Sequence, residues 1–223
     1  MMDIRRKGVS KMSETGKEKT KRAMTILYEV HGNLYINLTN KCPCACTFCL
    51  RQTRDHMEES GSLWLEHDTS YEELVAEFKK TDMNPYREAV FCGFGEPTQA
   101  LDVLLRGAAY IKEHYGLPTR INTNGLGNLI NGENIVPKMH GLIDTVSISL
   151  NTPNAEEYHR LVRSRFGEQS FDAMLDFARE CVKEGMHVVM TTVDTTITQD
   201  EEEQCRRICE EIGAAYRIRP WED

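Results

Sequence analysis

The sequence predicts an α/β protein: a partial (β/α)6 barrel of parallel strands, preceded by an N-terminal β-hairpin strand. Three observations predict it. From residue 70 onward, short β-branched or aromatic runs alternate with amphipathic stretches, the pattern of successive βαβ units. Six such units are too few to close an eight-stranded barrel, and right-handed crossovers curl them with the helices outside. Half of the eight cysteines fall within residues 42–49, directly after the strand that starts the parallel series, and parallel sheets place their sites at the carboxyl ends of their strands.

Each element follows from its local pattern. Thr25 to Val30 and Leu34 to Leu38 are β-rich runs joined by His31-Gly32-Asn33, a turn signal. After the cysteines, Gln52 to Asp68 is polar and reads as a long loop. Ser70 with Glu73 three residues on forms a capping box, opening a helix whose apolar face is Leu74, Val75 and Phe78. Glu88 to Phe94 reads as a strand and Leu101 to Tyr115 as a helix. Thr119 to Thr123 is a short strand ending in Asn124-Gly125, and Val136 to Met139 a short helix. Thr145 to Leu150, His187 to Val193 and Tyr216 to Arg219 are strands. Ser170 to Glu184 and Asp200 to Ile212 are the helices between them.

Composition bounds the class. The chain has 223 residues, 40% hydrophobic and 28% charged, usual for a globular domain. No run approaches the ~18 apolar residues of a membrane span, and the start lacks an apolar secretory core, so a cytoplasmic setting without membrane contact is expected. Eight Lys/Arg against three acids give residues 1–22 a net charge of +5, leaving −13 of the total −8 for the remainder. Residues 1–23 are therefore expected to be a disordered basic leader, with 24–223 as the core domain. The acidic body argues against a broad nucleic-acid surface.

The segment Asn40 to Arg51 reads NKCPCACTFCLR. Thiolates are soft ligands suited to iron–sulfur clusters, zinc or copper(I), and short spacing on a loop lets several sulfurs meet one cluster. Three cysteines at Cys42-x3-Cys46-x2-Cys49 leave one iron of a cubane for a ligand from outside the protein. Zinc prefers a closed tetrahedral site from paired ligand groups, and no second Cys/His pair with that spacing is present. A zinc-binding structural or interaction module and a small iron–sulfur electron carrier are the alternatives; neither accounts for the βα series.

Cys42-x3-Cys46-x2-Cys49 resembles the signature of the radical S-adenosylmethionine (SAM) superfamily, and the resemblance spans roughly Asn33 to Arg219. The opening from Thr25 to Arg51 is also similar to the small radical SAM proteins associated with TatD-type nucleases. The resemblance implies a 4Fe–4S cluster on Cys42, Cys46 and Cys49, its fourth iron chelated by SAM. Reduced by an external flavodoxin- or ferredoxin-like one-electron donor, the cluster would cleave SAM to methionine and a 5′-deoxyadenosyl radical. That radical would abstract hydrogen from a small-molecule, peptide or protein substrate that the sequence does not identify. Phe48 matches the family's aromatic residue near the adenine. Cys44 departs from the pattern and is expected to be a non-ligand.

Further segments follow strand ends. Gly93-Phe94-Gly95-Glu96-Pro97 resembles the family's GGEP segment with Phe94 inserted. Its glycines allow close approach of backbone to ligand, and its carboxylate and carbonyls suit an ammonium group. It also reads as a plain strand-to-helix turn. Asn124, with Asn122, is a pocket candidate or only a turn. Ser147 and Ser149 share a strand face, and Ser149 and Asn151 are candidates for ribose contacts or simple strand-end polarity. Thr191, Asp194, Arg217 and Arg219 are weaker candidates. Arg163 and Arg165 read as a solvated loop. Cys92, Cys181, Cys205 and Cys209 read as packing residues, and Trp64 in the 52–68 loop as a contact at the mouth.

Overall fold

The structure, a computed structural model, describes residues 22–221. The basic leader expected over residues 1–23 lies, up to residue 21, outside the described residues. Among the described residues seven strands form one sheet in sequence order: β1 (Leu27–Val30), β2 (Asn33–Ile36), β3 (Ala89–Phe91), β4 (Thr119–Thr123), β5 (Thr145–Ser149), β6 (His187–Val193) and β7 (Ala215–Arg219). β1 pairs with β2 antiparallel, and every later pairing is parallel. The sheet does not close, so the molecule is the expected partial barrel with a hairpin strand at one edge.

Paired residues in parallel strands share a face. Ile36, Phe91, Ile121, Val146 and Val188 lie in one row, with Ile148 and Met190 paired in the row above. All are buried under the helices. The opposite, concave face carries Cys92, Asn122, Ser147, Ser149, Thr191 and Arg217. The registers Asn122↔Ser147 and Ser149↔Thr191↔Arg217 align these polar positions across neighbouring strands.

The helices are α1 (Tyr71–Lys80), α2 (Leu101–Tyr115), α3 (Gly127–Asn131), α4 (Val136–Met139), α5 (Ala155–Val162), α6 (Gln169–Lys183) and α7 (Gln199–Ile212). The Ser70 capping box forms in both directions: Glu73 N donates to Ser70 Oγ at 3.3 Å and Ser70 N to Glu73 Oε2 at 2.9 Å. β3 is shorter than Glu88 to Phe94. Its ladder ends as Cys92 N donates to Ile36 O at 3.0 Å, and Gly93 then turns the chain away. The first hairpin is likewise tighter than the apolar runs: its ladder begins at Leu27, and before it Ile26 contributes its carbonyl, which accepts from Asn37 N at 2.8 Å. Two helices, α3 and α5, have no counterpart in the sequence reading. Arg163, expected on a loop, is the left-handed C-cap of α5 (φ 49°); it and Arg165 are solvent-exposed as expected.

The loop from 52 to 68 folds back over the β1–β2 end of the sheet. Leu63 is buried with Tyr28, Val30 and Phe94, and Met57 and Trp64 pack against them. No helix among the described residues is long and apolar enough to cross a membrane.

Candidate functional site

The stretch leaving β2 is clamped before it reaches the cysteines. Asn37 Nδ2 donates to Leu63 O at 2.9 Å, and Thr39 Oγ1 to Asp68 Oδ1 at 2.6 Å. Asn40 exchanges two bonds with Leu65, at 2.8 and 3.0 Å. The cysteine loop is then braced by α5. Ala45 N donates to Val162 O at 3.1 Å and Thr47 N to Leu161 O at 2.9 Å, while Arg165 N donates to Pro43 O at 2.9 Å. The last carbonyls of a helix lack partners within it, so the end of α5 offers acceptors where the loop passes. On the other side, Arg51 Nη2 donates to Cys44 O at 3.1 Å and Gln52 Nε2 to Cys46 O at 2.5 Å.

Cys42, Cys46 and Cys49 are half-buried and Cys44 is buried; all eight cysteines are free thiols. A hydrogen bond from Cys44 holds the Cys42 and Cys46 thiols below the ordinary cysteine value. Burial opposes this, and Arg51 adds to the lowering. Cys44 itself is pushed far up by its bonds to Cys42 and Cys46 and by burial. Burial pushes Cys49 up as well. Phe48 is half-buried between Cys46 and Cys49.

The Gly93–Pro97 segment lies against this loop. A Cβ on Gly95 would stand 2.2 Å from Thr39 O, and one on Gly93 2.1 Å from Asn37 Oδ1. The close approach at both glycines is thus to the protein's own β2 extension. Glu96 N donates to Lys41 O at 2.8 Å, joining the two segments directly. The Glu96 carboxylate is buried, 3% exposed, and accepts four bonds. These come from Thr98 N (3.2 Å), Thr98 Oγ1 (2.9 Å), Thr123 Oγ1 (2.7 Å) and Asn124 N (2.8 Å). Burial raises its pKa, and those donors partly offset the rise. The sequence reading saw a carboxylate presented to a ligand; the structure uses it first to tie the ends of β3 and β4. The inserted Phe94 meets the Trp64 ring edge-on, with centroids 5.2 Å apart.

Asn124 joins the assembly: its Nδ2 donates to Cys44 Sγ at 3.6 Å. Ser149 and Asn151 close the neighbouring strand. Asn151 takes a left-handed backbone (φ 66°), which asparagine tolerates better than most residues. Its N donates to Thr191 O at 3.1 Å and its Nδ2 to Ser149 O at 3.4 Å. Its Oδ1 is buried with no partner. Asn122 lines the concave face, where its Oδ1 accepts from Arg120 Nη1 at 3.0 Å. Asp194 is exposed at the end of β6, Thr191 is buried beside Ile148, and Arg217 is exposed on β7. Cys181, Cys205 and Cys209 are wholly buried under the helices, as packing residues are. Arg51, Gln52 and Tyr158 were not singled out from the sequence. The first two follow the last cysteine directly, and only the folded loop shows that they bind its backbone.

Among the described residues no three His, Cys, Asp or Glu side chains converge tightly enough to hold a single metal ion. The thiols of Cys42, Cys46 and Cys49 sit free on one braced loop, and cysteine thiolates are the ligands that hold iron–sulfur clusters. Buried oxygens without partners lie at Asn151 and at Tyr158, and the Tyr158 hydroxyl is within electrostatic reach of Cys44, Cys46 and Cys42. Soft donors, unsatisfied polar atoms and a carboxylate-knotted mouth fit an iron–sulfur cluster with a polar ligand beside it.

A parallel partial barrel with a three-cysteine loop at its mouth defines a class of enzymes, and comparison agrees. The model of the Radical SAM superfamily matches residues 36–212, and the chain belongs to that family. Membership implies SAM and an iron–sulfur cluster as cofactors. Among relatives, it is 25% identical over 226 residues to the ribosomal protein uS12 methylthiotransferase RimO of Symbiobacterium thermophilum, covering 84% of this chain and 44% of that protein. The fold is similar to Streptococcus suis SuiB bound to precursor peptide SuiA (TM-score 0.65, 18% identity), covering 84% of this chain and 39% of SuiB. It is also similar to anSMEcpe with bound AdoMet and a Kp18Cys peptide (TM-score 0.64, 18% identity), covering 85% and 51%. The chain thus spans about half or less of the length of these relatives.

Proposed function

We propose that the chain is a radical SAM enzyme that holds a 4Fe–4S cluster on Cys42, Cys46 and Cys49. The observation that carries this reading is the cysteine loop, fixed by α5 on one side and Gly95-Glu96 on the other at the mouth of the barrel. When bound and reduced, the cluster supplies the electron that splits SAM into methionine and a 5′-deoxyadenosyl radical, which removes a hydrogen atom from substrate. The protein's task is to bind, orient and shield. Phe48 offers a ring face to the adenine, and the Gly93–Gly95 backbone carbonyls, with Glu96 holding their turn, receive the ammonium. Asn124, Ser149 and Asn151 supply amide and hydroxyl groups for the carboxylate and ribose. Asn151 Oδ1, buried and unpartnered, supports this assignment. Eight free thiols support a reducing, cytoplasmic setting.

The test is anaerobic reconstitution. A brown protein carrying close to four irons, which releases methionine and 5′-deoxyadenosine on reduction with SAM, is expected. Alanine at Cys42, Cys46 or Cys49 should abolish both colour and cleavage. A colourless protein holding one zinc overturns the reading. Transfer of deuterium from labelled candidate substrates into 5′-deoxyadenosine then identifies what the enzyme acts on.

A further inference from the structure

Helix α5, which braces the cysteine loop, also carries a buried, unsatisfied hydroxyl. Tyr158 is 1% exposed, and its hydroxyl has no hydrogen-bond partner among the described residues. The ring is held edge-on to Phe171, with centroids 5.4 Å apart. Tyr158, Leu161 and Val162 are the buried residues of α5, and their spacing puts them on one face of the helix. Leu161 and Val162 are the residues whose carbonyls receive Thr47 N and Ala45 N from the cysteine loop. The tyrosine therefore stands one turn behind the point where the loop docks.

A buried hydroxyl without a partner costs free energy, and each such group in a native fold calls for an explanation, a bound ligand or a redox role among them. The groups within electrostatic reach of this hydroxyl are the Cys44 and Cys46 thiols, ahead of the Glu96 carboxyl and the Cys42 thiol. Glu96 already accepts four protein bonds. Burial raises the tyrosine well above its ordinary value, so it keeps its proton and has that proton to give to an acceptor such as sulfur.

We infer that the Tyr158 hydroxyl donates a hydrogen bond to a sulfur of the cluster carried by the cysteine loop, and thereby sets that cluster's reduction potential. This rests on the reading of Cys42, Cys46 and Cys49 as cluster ligands. A donor to cluster sulfur stabilises the more negative, reduced state and raises the potential. Tyr158 is a positioning and tuning residue in this role; it does not touch substrate.

The experiment compares the reconstituted full chain with Tyr158→Phe and with 3-fluorotyrosine at position 158. Iron and sulfide content are measured, and the potential is read by redox titration followed by electron paramagnetic resonance. Phenylalanine should leave cluster content unchanged and move the potential negative of wild type. Fluorotyrosine, the stronger donor, should move it positive. Without the cluster, the phenylalanine variant should melt at or above the wild-type temperature, because it removes only an unsatisfied group. Equal potentials in all three proteins overturn the inference. Should phenylalanine prevent cluster assembly, the fluorotyrosine protein decides alone, and an unshifted potential there overturns it. A wild-type chain that takes up no cluster overturns the cluster reading itself, a result distinct from an unshifted potential.

Discussion

Gly95 packs so closely on Thr39 that a Cβ at position 95 would stand 2.2 Å from the Thr39 carbonyl oxygen and 2.8 Å from Lys41 O. Both obstacles are backbone, so no side-chain rotation relieves them. Gly95→Ala must push the β3 turn away from the stretch that leads into the cysteines. Overpacking of this kind costs about 1–3 kcal/mol, and here the strain falls on the cysteine loop. The expected result is a lowered melting temperature together with less iron retained after reconstitution. A stable variant with full iron content would mean that the loop does not depend on this contact.

Glu96 makes a sharper test of the same junction. One of its oxygens takes three donors and the other takes Asn124 N. In Glu96→Gln the amide NH2 must face at least one of those donors, leaving it buried without an acceptor. The expected loss is about 1–3 kcal/mol, read by chemical denaturation. Glu96→Asp keeps the charge but shortens the reach, and should recover only part of the loss.

Phe94 looks like an intrusion into a glycine-rich turn, yet it anchors the 52–68 loop through Trp64. A double-mutant cycle on Trp64→Ala and Phe94→Ala should show a coupling of about 0.5–1.5 kcal/mol, the range for an edge-on aromatic pair. Limited proteolysis should cut either single variant between residues 52 and 68 faster than wild type. Additive effects and an unchanged cleavage pattern would remove the anchoring role.

The α1 capping box predicts a pH dependence. Bonds from the Ser70 side chain and backbone, with His67 beyond them, hold the Glu73 carboxyl down to about 2 from its ordinary 4.5. A depressed folded-state pKa means the contribution is fully present above pH 4.5 and fades as pH falls toward 2. Ser70→Ala should cost about 0.5–2 kcal/mol near neutrality. The gap from wild type should narrow across that acid window, as measured by denaturant titrations at stepped pH.

Much of this architecture was legible because the signal was local. Leu101–Tyr115, Thr119–Thr123, Val136–Met139 and His187–Val193 fall where periodicity and β-branching put them. Helix α5 was missed although its signals are present: Asn154 caps Glu157 N at 2.8 Å, and Tyr158, Leu161 and Val162 follow at helical spacing. Its brevity, 8 residues, hid a pattern that longer helices repeat. The cysteines were legible as a cluster because soft ligands at short spacing have few other uses. What Gly93, Gly95 and Glu96 touch was not, since a glycine that admits a ligand and one that admits a neighbouring backbone look alike in sequence. The Tyr158 hydroxyl is invisible for the same reason: its meaning lies in contacts made across the fold.

Cys44 remains the residue on which the ligand assignment turns. It is 4% exposed, packed in the hydrophobic core, and receives a bond from Asn124 Nδ2 at 3.6 Å. Its neighbours Cys42 and Cys46 stay half-exposed on either side. An inward thiol flanked by both supports the loop without entering the ligand set. Cys44→Ser keeps a donor but places a more polar group in an apolar site, at a cost of about 1–3 kcal/mol. The expected protein is less stable, still brown, carries its full complement of iron and still cleaves SAM. Loss of the cluster from that single variant would shift the ligand register from Cys42 to Cys44, and with it the geometry proposed for every group around the open iron.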